Sequence, residues 1–440
     1  MIATKISSIT ELKKSLVINA LIMLLWWLAF NPGFYSADSF GVIEIARNGK
    51  ISSESTAIWA ITVKILTING SHPEIATLFF SQLFAFSLSM FAHTLFDGKI
   101  ARWSSAGLCM TPLMGAMGIT LWHDIPMTSG FLLVVAGILR YVKKENYPLT
   151  LLTLGVVLSS FRYNGIPTLL LTIVLLALFL KPRRLVFLLL VSTLGIGGVT
   201  ATLDAIFSPP TSTHADGFIN WMRYDLSCYA ASFADDEFFQ KEFTGKTNRE
   251  FWESSQACTW FNDSEAFSIR PAKLTGDIPS AWLALAQKKP LFVLTTHMKR
   301  HEYLNPIPIY GPPRMPFVHS TIEYSGQQIY FWNAALSETL RIYPRIWNYF
   351  NFIFGYSGLW LTAILFFAWR KRNLIYFGLG TLGLVLNAGL FVFAIISDGR
   401  FSLFVLIAGQ LITIGEFGKY LRSRRVPEVF HDSFRNKTKS

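Results

Sequence analysis

Charge is scarce in this chain. Only 15% of its residues are Asp, Glu, Lys or Arg, and 52% are hydrophobic. An ordinary soluble domain carries about 25% charged residues, so a large soluble enzyme is a poor reading. Cysteine is scarcer: there are three in 440 residues. That excludes a disulfide-rich scaffold. Paired-cysteine zinc patterns, HExxH, the Walker loop and GxSxG are all missing, and so is a D-x-D pair to hold a metal–nucleotide donor. The sequence therefore gives no support for a bound metal or a resident cofactor. It also lacks internal repeats and Gly/Ser linkers, which counts against a solenoid or a repeat-built transporter.

What the chain has is long apolar runs. A spanning helix needs about 20 predominantly apolar residues. Ten such segments are expected near 15–31, 74–96, 104–121, 125–142, 148–161, 166–180, 185–207, 347–369, 374–396 and 401–418. The fold class is thus an all-α polytopic membrane protein of about ten transmembrane helices, with a mixed outer domain. The first run has basic flanks like a signal peptide, but no small-x-small cleavage site follows it. Trp26–Trp27 near its end fits a retained span with an interfacial belt. The fifth and sixth segments are short, and a re-entrant hairpin is the alternative there. The stretch 55–69, broken by Lys64, reads as an amphipathic helix on the outer surface.

The net charge is +12. It lies in short connectors: Lys99 and Arg102; Arg140, Lys143 and Lys144; Lys181, Arg183 and Arg184; Arg370, Lys371 and Arg372; and Lys419 to Arg425. With ten spans every one of these falls on one side, together with both termini. This is the positive-inside pattern. The excess charge orients the protein in a bilayer and does not point to nucleic acid. Three regions follow: an N-terminal transmembrane module, 1–207; an extracytoplasmic domain, 208–346; and a C-terminal module with a basic cytoplasmic tail, 347–440. Cys228 and Cys258 both fall in the outer domain, where a disulfide between them is expected and two buried thiols are the alternative.

The outer side collects a few ionisable residues in tight turns: Asp38 in "NPGFYSADSF", His123 and Asp124 in "LWHDIP", Arg162 in "SFRYNG", where the polar Asn164 follows, and Arg400 in "SDGR". Ionisable residues so close to hydrocarbon are costly and tend to mark a polar cavity. Each also has an ordinary structural reading. Asp38 is a suitable helix N-cap, Asp124 a turn residue before a span, Asn164–Gly165 a bend and Arg162 a snorkelling cation. If the fifth and sixth segments are as short as they look, Arg162 lies below the headgroups and needs an anionic partner.

Together these residues resemble the GT-C superfamily of polytopic glycosyltransferases. The Lys-flanked first span, "NPGFYSADS", "LWHDIP" and "RYNG" are similar to the P-G-x-x-S-x-D-S, W-K-D and R-x-N-G elements of bacterial members, with His123 in place of the Lys. Phage-type glucosyltransferases that modify O-antigen are similar in size and layout. The resemblance covers 15–207. It implies a polyprenyl-phosphate-linked sugar as donor and a cell-surface glycan or lipid-linked acceptor. It also implies that Asp38 is the catalytic base. From their place on the outer side, Arg162, with Arg400 or His123 assisting, is expected to stabilise the departing phosphate, Asp124 to orient His123 or the acceptor, and Asn164 to lie with them around the substrates. The expected setting is the bacterial inner membrane. The competing readings are an O-antigen polymerase or ligase, resting on outer Arg and His residues, and a flippase for a lipid-linked sugar.

Overall fold

The computed structural model describes residues 2–49, 51, 55–145, 148–177, 183–207, 222, 225–226, 228–229, 278–300, 355–393 and 402–424. Among these the chain is helical, with one isolated bridge between Phe34 and Thr120. The N-terminal helices are α1 (Ile2–Ala29), α2 (Ala37–Asn48), α3 (Ala57–Leu66), α4 (Pro73–Leu95), α5 (Gly98–Met110), α6 (Pro112–Gly118), α7 (Asp124–Val142), α8 (Pro148–Ser159), α9 (Gly165–Ala177) and α10 (Arg183–Phe207). Then come α11 (Ile278–Lys288), α12 (Pro290–Arg300), α13 (Ser357–Lys371), α14 (Leu374–Phe393) and α15 (Leu403–Arg424).

Six of these helices have a segment long and apolar enough to cross a membrane: α1, α4, α7, α10, α14 and α15. The protein is an all-α, multi-pass membrane protein. The expected span 104–121 is not one helix. It breaks at Thr111, which ends α5 and caps α6 with its side chain, and Pro112 takes the first position of α6. Proline has no N–H for the ladder and fits best in a first helical turn, so the chain restarts there. Helices α8 and α9 have 12 and 13 residues. At 1.5 Å per residue they reach only about 18–20 Å, short of a full crossing. The described helix of the eighth expected segment starts late, at Ser357, with 347–354 outside the described residues.

One apolar core runs from Met23 to Ile412 and joins the N-terminal helices to α13, α14 and α15. Phe404 of α15 meets Phe91 of α4 and Phe131 of α7, with ring centroids 6.4 and 5.9 Å apart. The two expected transmembrane modules thus share a single core. Polar side chains pin helix to helix inside it. Asn19 donates to Ser89 Oγ at 2.8 Å, and Trp26 Nε1 donates to the Cys109 carbonyl at 3.1 Å. Such bonds contribute about 0.6 kcal/mol each on average within a membrane.

Helices α7 and α8 pack closely, backbone against backbone. A Cβ on Gly155 would lie 2.8 Å from the Gly130 carbonyl, so only glycine admits this approach. Small residues at such contacts let helix backbones touch. The consequence for the site is direct: the start of α7 is held beside the turn that leaves α8.

The basic residues gather at one end of the bundle. Arg102 pairs with Glu11, Lys143 donates to the Thr94 carbonyl, and Lys371 and Lys419 meet Glu416. The turns at 30–41, 119–124 and 159–165 lie at the opposite end, called here the loop end. Near that end the described part of 222–300 forms a second small core of Leu226, Tyr229, Ile278, Leu285 and Val293.

Candidate functional site

The loop after α1 is fixed before it reaches Asp38. The Pro32 carbonyl accepts from Thr77 Oγ1 at 2.7 Å and from the Tyr35 hydroxyl at 2.8 Å. Gly33 has φ +109°, and a Cβ there would lie 2.7 Å from the Ile119 carbonyl. This position needs glycine both for its dihedral and for the close backbone approach. The strand-like pairing that follows joins the loop to the segment before α7: Phe34 N–H donates to Ile119 O at 3.2 Å, and Leu121 N–H to Phe34 O at 3.1 Å.

Two serines complete the junction. Trp122 Nε1 donates to Ser36 Oγ at 2.6 Å, and Ser39 Oγ donates to the Leu121 carbonyl at 2.9 Å. Ser36 is the N-cap of α2, and Ser39 Oγ accepts from the Ser36 N–H at 3.0 Å in a capping box. The cap reading of Asp38 is therefore corrected. Asp38 stands two residues inside the helix, in its first turn, and its side chain is exposed. A carboxylate in a first turn is favoured by the helix dipole. The capping itself is done by its neighbour, because Ser36 has the extended backbone that a cap requires.

Asp124 is the first residue of α7 and is fully buried. Arg162, in the turn between α8 and α9, forms an ion pair with Asp124 Oδ1. The anion expected near Arg162 is thus supplied by the protein. Arg162 is not sealed in, since 17% of its side chain is exposed. His123 Nε2 lies 3.8 Å from Asp124 Oδ2, too long for a hydrogen bond but within ion-pair reach. Its ring meets Trp59 edge-on at 6.3 Å. Asn164 sits just before α9, where its carbonyl accepts from Thr168 N–H at 3.1 Å and Gly165 N–H closes the bend on Arg162 O at 3.0 Å.

The loop end therefore brings together Asp38, His123, Asp124, Arg162 and Asn164, stitched through residues 34–39 and 119–122. Arg400 lies outside the described residues, and so does Cys258. Cys228 is disulfide-bonded, whereas Cys109 is a buried free thiol. Among the described residues, no group of three or more His, Cys, Asp or Glu is placed to hold a metal ion.

Two features escaped sequence reasoning. Asp204, at the end of the apolar run of α10, accepts from the Ala57 N–H at 2.6 Å. Read as one acid in a greasy helix, it carried no motif. The second is a buried cluster near α14. His297 Nε2 lies 2.7 Å from Asp225 Oδ2, and Trp282 Nε1 donates to the same oxygen at 2.7 Å. The other ring nitrogen, Nδ1, is 2.9 Å from the Phe391 carbonyl. A carbonyl only accepts, so Nδ1 carries a hydrogen. Asp225 and His297 are 72 positions apart in a segment without a recognisable pattern, which left no sequence signal.

No family model, curated protein or solved structure matches this chain.

Proposed function

We propose that this protein is a membrane glycosyltransferase that moves a sugar from a polyprenyl-phosphate donor to a cell-surface glycan or lipid-linked acceptor. The observation that carries the reading is the exposed Asp38. It is held at the first turn of a helix that starts just past a membrane span and is hydrogen-bonded to the segment bearing His123 and Asp124. A polyprenyl phosphate keeps its tail in the bilayer and its phosphate at the interface. The group that activates the acceptor has to wait at that depth, and a rigid break directly after the first span puts a carboxylate there.

In this reading Asp38 takes the proton of the acceptor hydroxyl. The acceptor oxygen bonds to the anomeric carbon from the side opposite the phosphate. The carbon–oxygen bond to the phosphate breaks, and polyprenyl phosphate leaves with the bonding pair. The configuration inverts. General-base help of this kind is worth about 10²–10⁴-fold. Arg162, oriented by Asp124, meets the departing phosphate, with His123 and Arg400 assisting. Asn164 shapes the turn that presents Arg162.

The setting is the bacterial inner membrane, with the loop end facing out and both termini in the cytoplasm. Reporter fusions at Ser212 and Ser440 then read opposite sides of the membrane; the same side for both contradicts the orientation. The function is tested by mass spectrometry of the surface glycan with and without the gene, together with transfer from a synthetic polyprenyl-phosphate sugar by the purified chain. The reading requires a glycan shorter by one sugar in the deletion and restored by the wild-type gene. An unchanged glycan and no transfer from any such donor overturn it.

A further inference from the structure

Asp204 sits three residues before the end of α10 and is 8% exposed. A carboxylate at this place in α10 is costly. The run is apolar, and the C-terminal end of a helix is the negative end of its dipole, where an anion is disfavoured. What offsets the charge lies across the interface, at the positive end of α3. The first amide of α3, Ala57 N–H, donates to Asp204 Oδ1 at 2.6 Å.

That first turn of α3 is also tied to the candidate site. Thr56, the N-cap, donates from Oγ1 to the Phe161 carbonyl at 2.9 Å, one residue before Arg162. The Tyr163 hydroxyl, one residue after Arg162, donates to the Ser55 carbonyl at 3.0 Å. Trp59 is buried, and its ring packs on Phe161 at 5.8 Å as well as on His123. Burial, and after it the nearby Asp204 charge, push the Tyr163 phenol above its ordinary range, which places the carboxylate within electrical reach of this turn. Arg162 is thus bracketed on both sides by bonds to the segment that Asp204 holds.

We propose that Asp204 is a positioning residue: it clamps the first turn of α3 against α10, and through Thr56, Ser55 and Trp59 that turn fixes the backbone around Arg162 and the ring of His123. The functional consequence rests on the glycosyltransferase reading, in which Arg162 meets the donor phosphate. A clamp that sets this geometry governs donor recognition more than the proton transfer at Asp38.

The test uses the full chain in nanodiscs, with hydrogen exchange followed over 55–66 and 159–165, and transfer kinetics with a polyprenyl-phosphate sugar. Asp204→Ala should speed exchange in both segments. It should raise the donor KM about tenfold or more, with kcat within a few-fold of wild type, since a small misplacement of a binding group is costly. Asp204→Asn keeps an oxygen acceptor for the Ala57 N–H and should restore both readouts. Tyr163→Phe leaves the Asp204 contact and the Thr56 cap in place but cuts the link to the Ser55 carbonyl, and should shift the KM in the same direction even if Asp204→Ala fails to fold. Faster exchange confined to 55–66, or a loss of kcat at unchanged KM, reduces Asp204 to an ordinary cap and overturns the proposal. Absence of transfer by the wild-type chain counts against the glycosyltransferase reading instead, and the exchange data still decide whether the clamp exists.

Discussion

The two ends of the bundle handle their acids differently. At the basic end each buried acid is served by a pair of cations. Glu11 meets Arg102 at 2.7 Å and Lys14 at 3.4 Å, and Glu416 meets Lys419 at 2.7 Å and Lys371 at 3.4 Å. At the loop end Asp124 is matched in this way, by Arg162 with His123 nearby. Asp38 and Asp204 lie instead at the first turns of α2 and α3. Doubly paired acids have their charge spent on holding the fold. An exposed carboxylate in the first turn of a helix can be reached from solvent. In the glycosyltransferase reading, the difference separates carboxylates that maintain the structure from the one proposed to act as base.

The comparison breaks most visibly at the buried pair. Removing Arg162 takes the ion-pair partner from a fully buried Asp124, at about 3–5 kcal/mol; removing Asp124 takes it from Arg162, whose side chain is 17% exposed, at the lower end of that range. Asp124→Ala and Arg162→Ala should each lower the unfolding midpoint strongly, and the double variant should cost clearly less than the two singles combined. Strictly additive losses argue that the two side chains do not depend on each other. Arg162→Lys separates charge from shape. It keeps the cation but loses the planar fork, so stability should fall less than in Arg162→Ala while donor KM still rises.

A smaller effect is expected at Ser36. Loss of an N-cap costs about 0.5–2 kcal/mol, and Ser36→Ala also removes the acceptor for Trp122 Nε1. Activity should fall through misplacement of Asp38, with a modest drop in thermal stability. Full activity would show that the capping box does not position the acid.

The smallest effect belongs to the basic end. The Lys371 side chain is 51% exposed, and exposed ion pairs are worth about 0–1 kcal/mol. Lys371→Ala should shift the unfolding midpoint little and leave transfer unchanged. A large loss of transfer from this variant would erase the contrast between the two ends.

Much of this was legible in the sequence, for identifiable reasons. The break after α1 is written in Asn31, Pro32 and Gly33. The burial of charge near 123–124 and 162 follows from tight turns between short apolar runs. The need of Arg162 for an anion was legible from its depth, but the anion was not. That depends on Gly130 and Gly155 letting α7 and α8 approach, which is a property of two helices and not of one motif. The expected span at 104–121 ignored a local signal, since Thr111–Pro112 is a cap followed by a first-turn proline. Asp38 suits a cap by residue type, since Asp caps well, but Ser36 and Ser39 form the box, and only the backbone shows which residue is extended. Asp204 had no local signal, because its partner is a backbone amide 147 residues away.

Asp38→Asn separates a base from a structural residue at this position. Ser36 caps α2 and asparagine is tolerated in the first turn, so the variant should fold, bind donor and melt like wild type. Asparagine cannot take the proton, so transfer from the polyprenyl-phosphate sugar should fall by at least about 10²-fold, the lower range for general-base catalysis. Transfer by the folded Asp38→Asn protein within a few-fold of wild type would contradict the account.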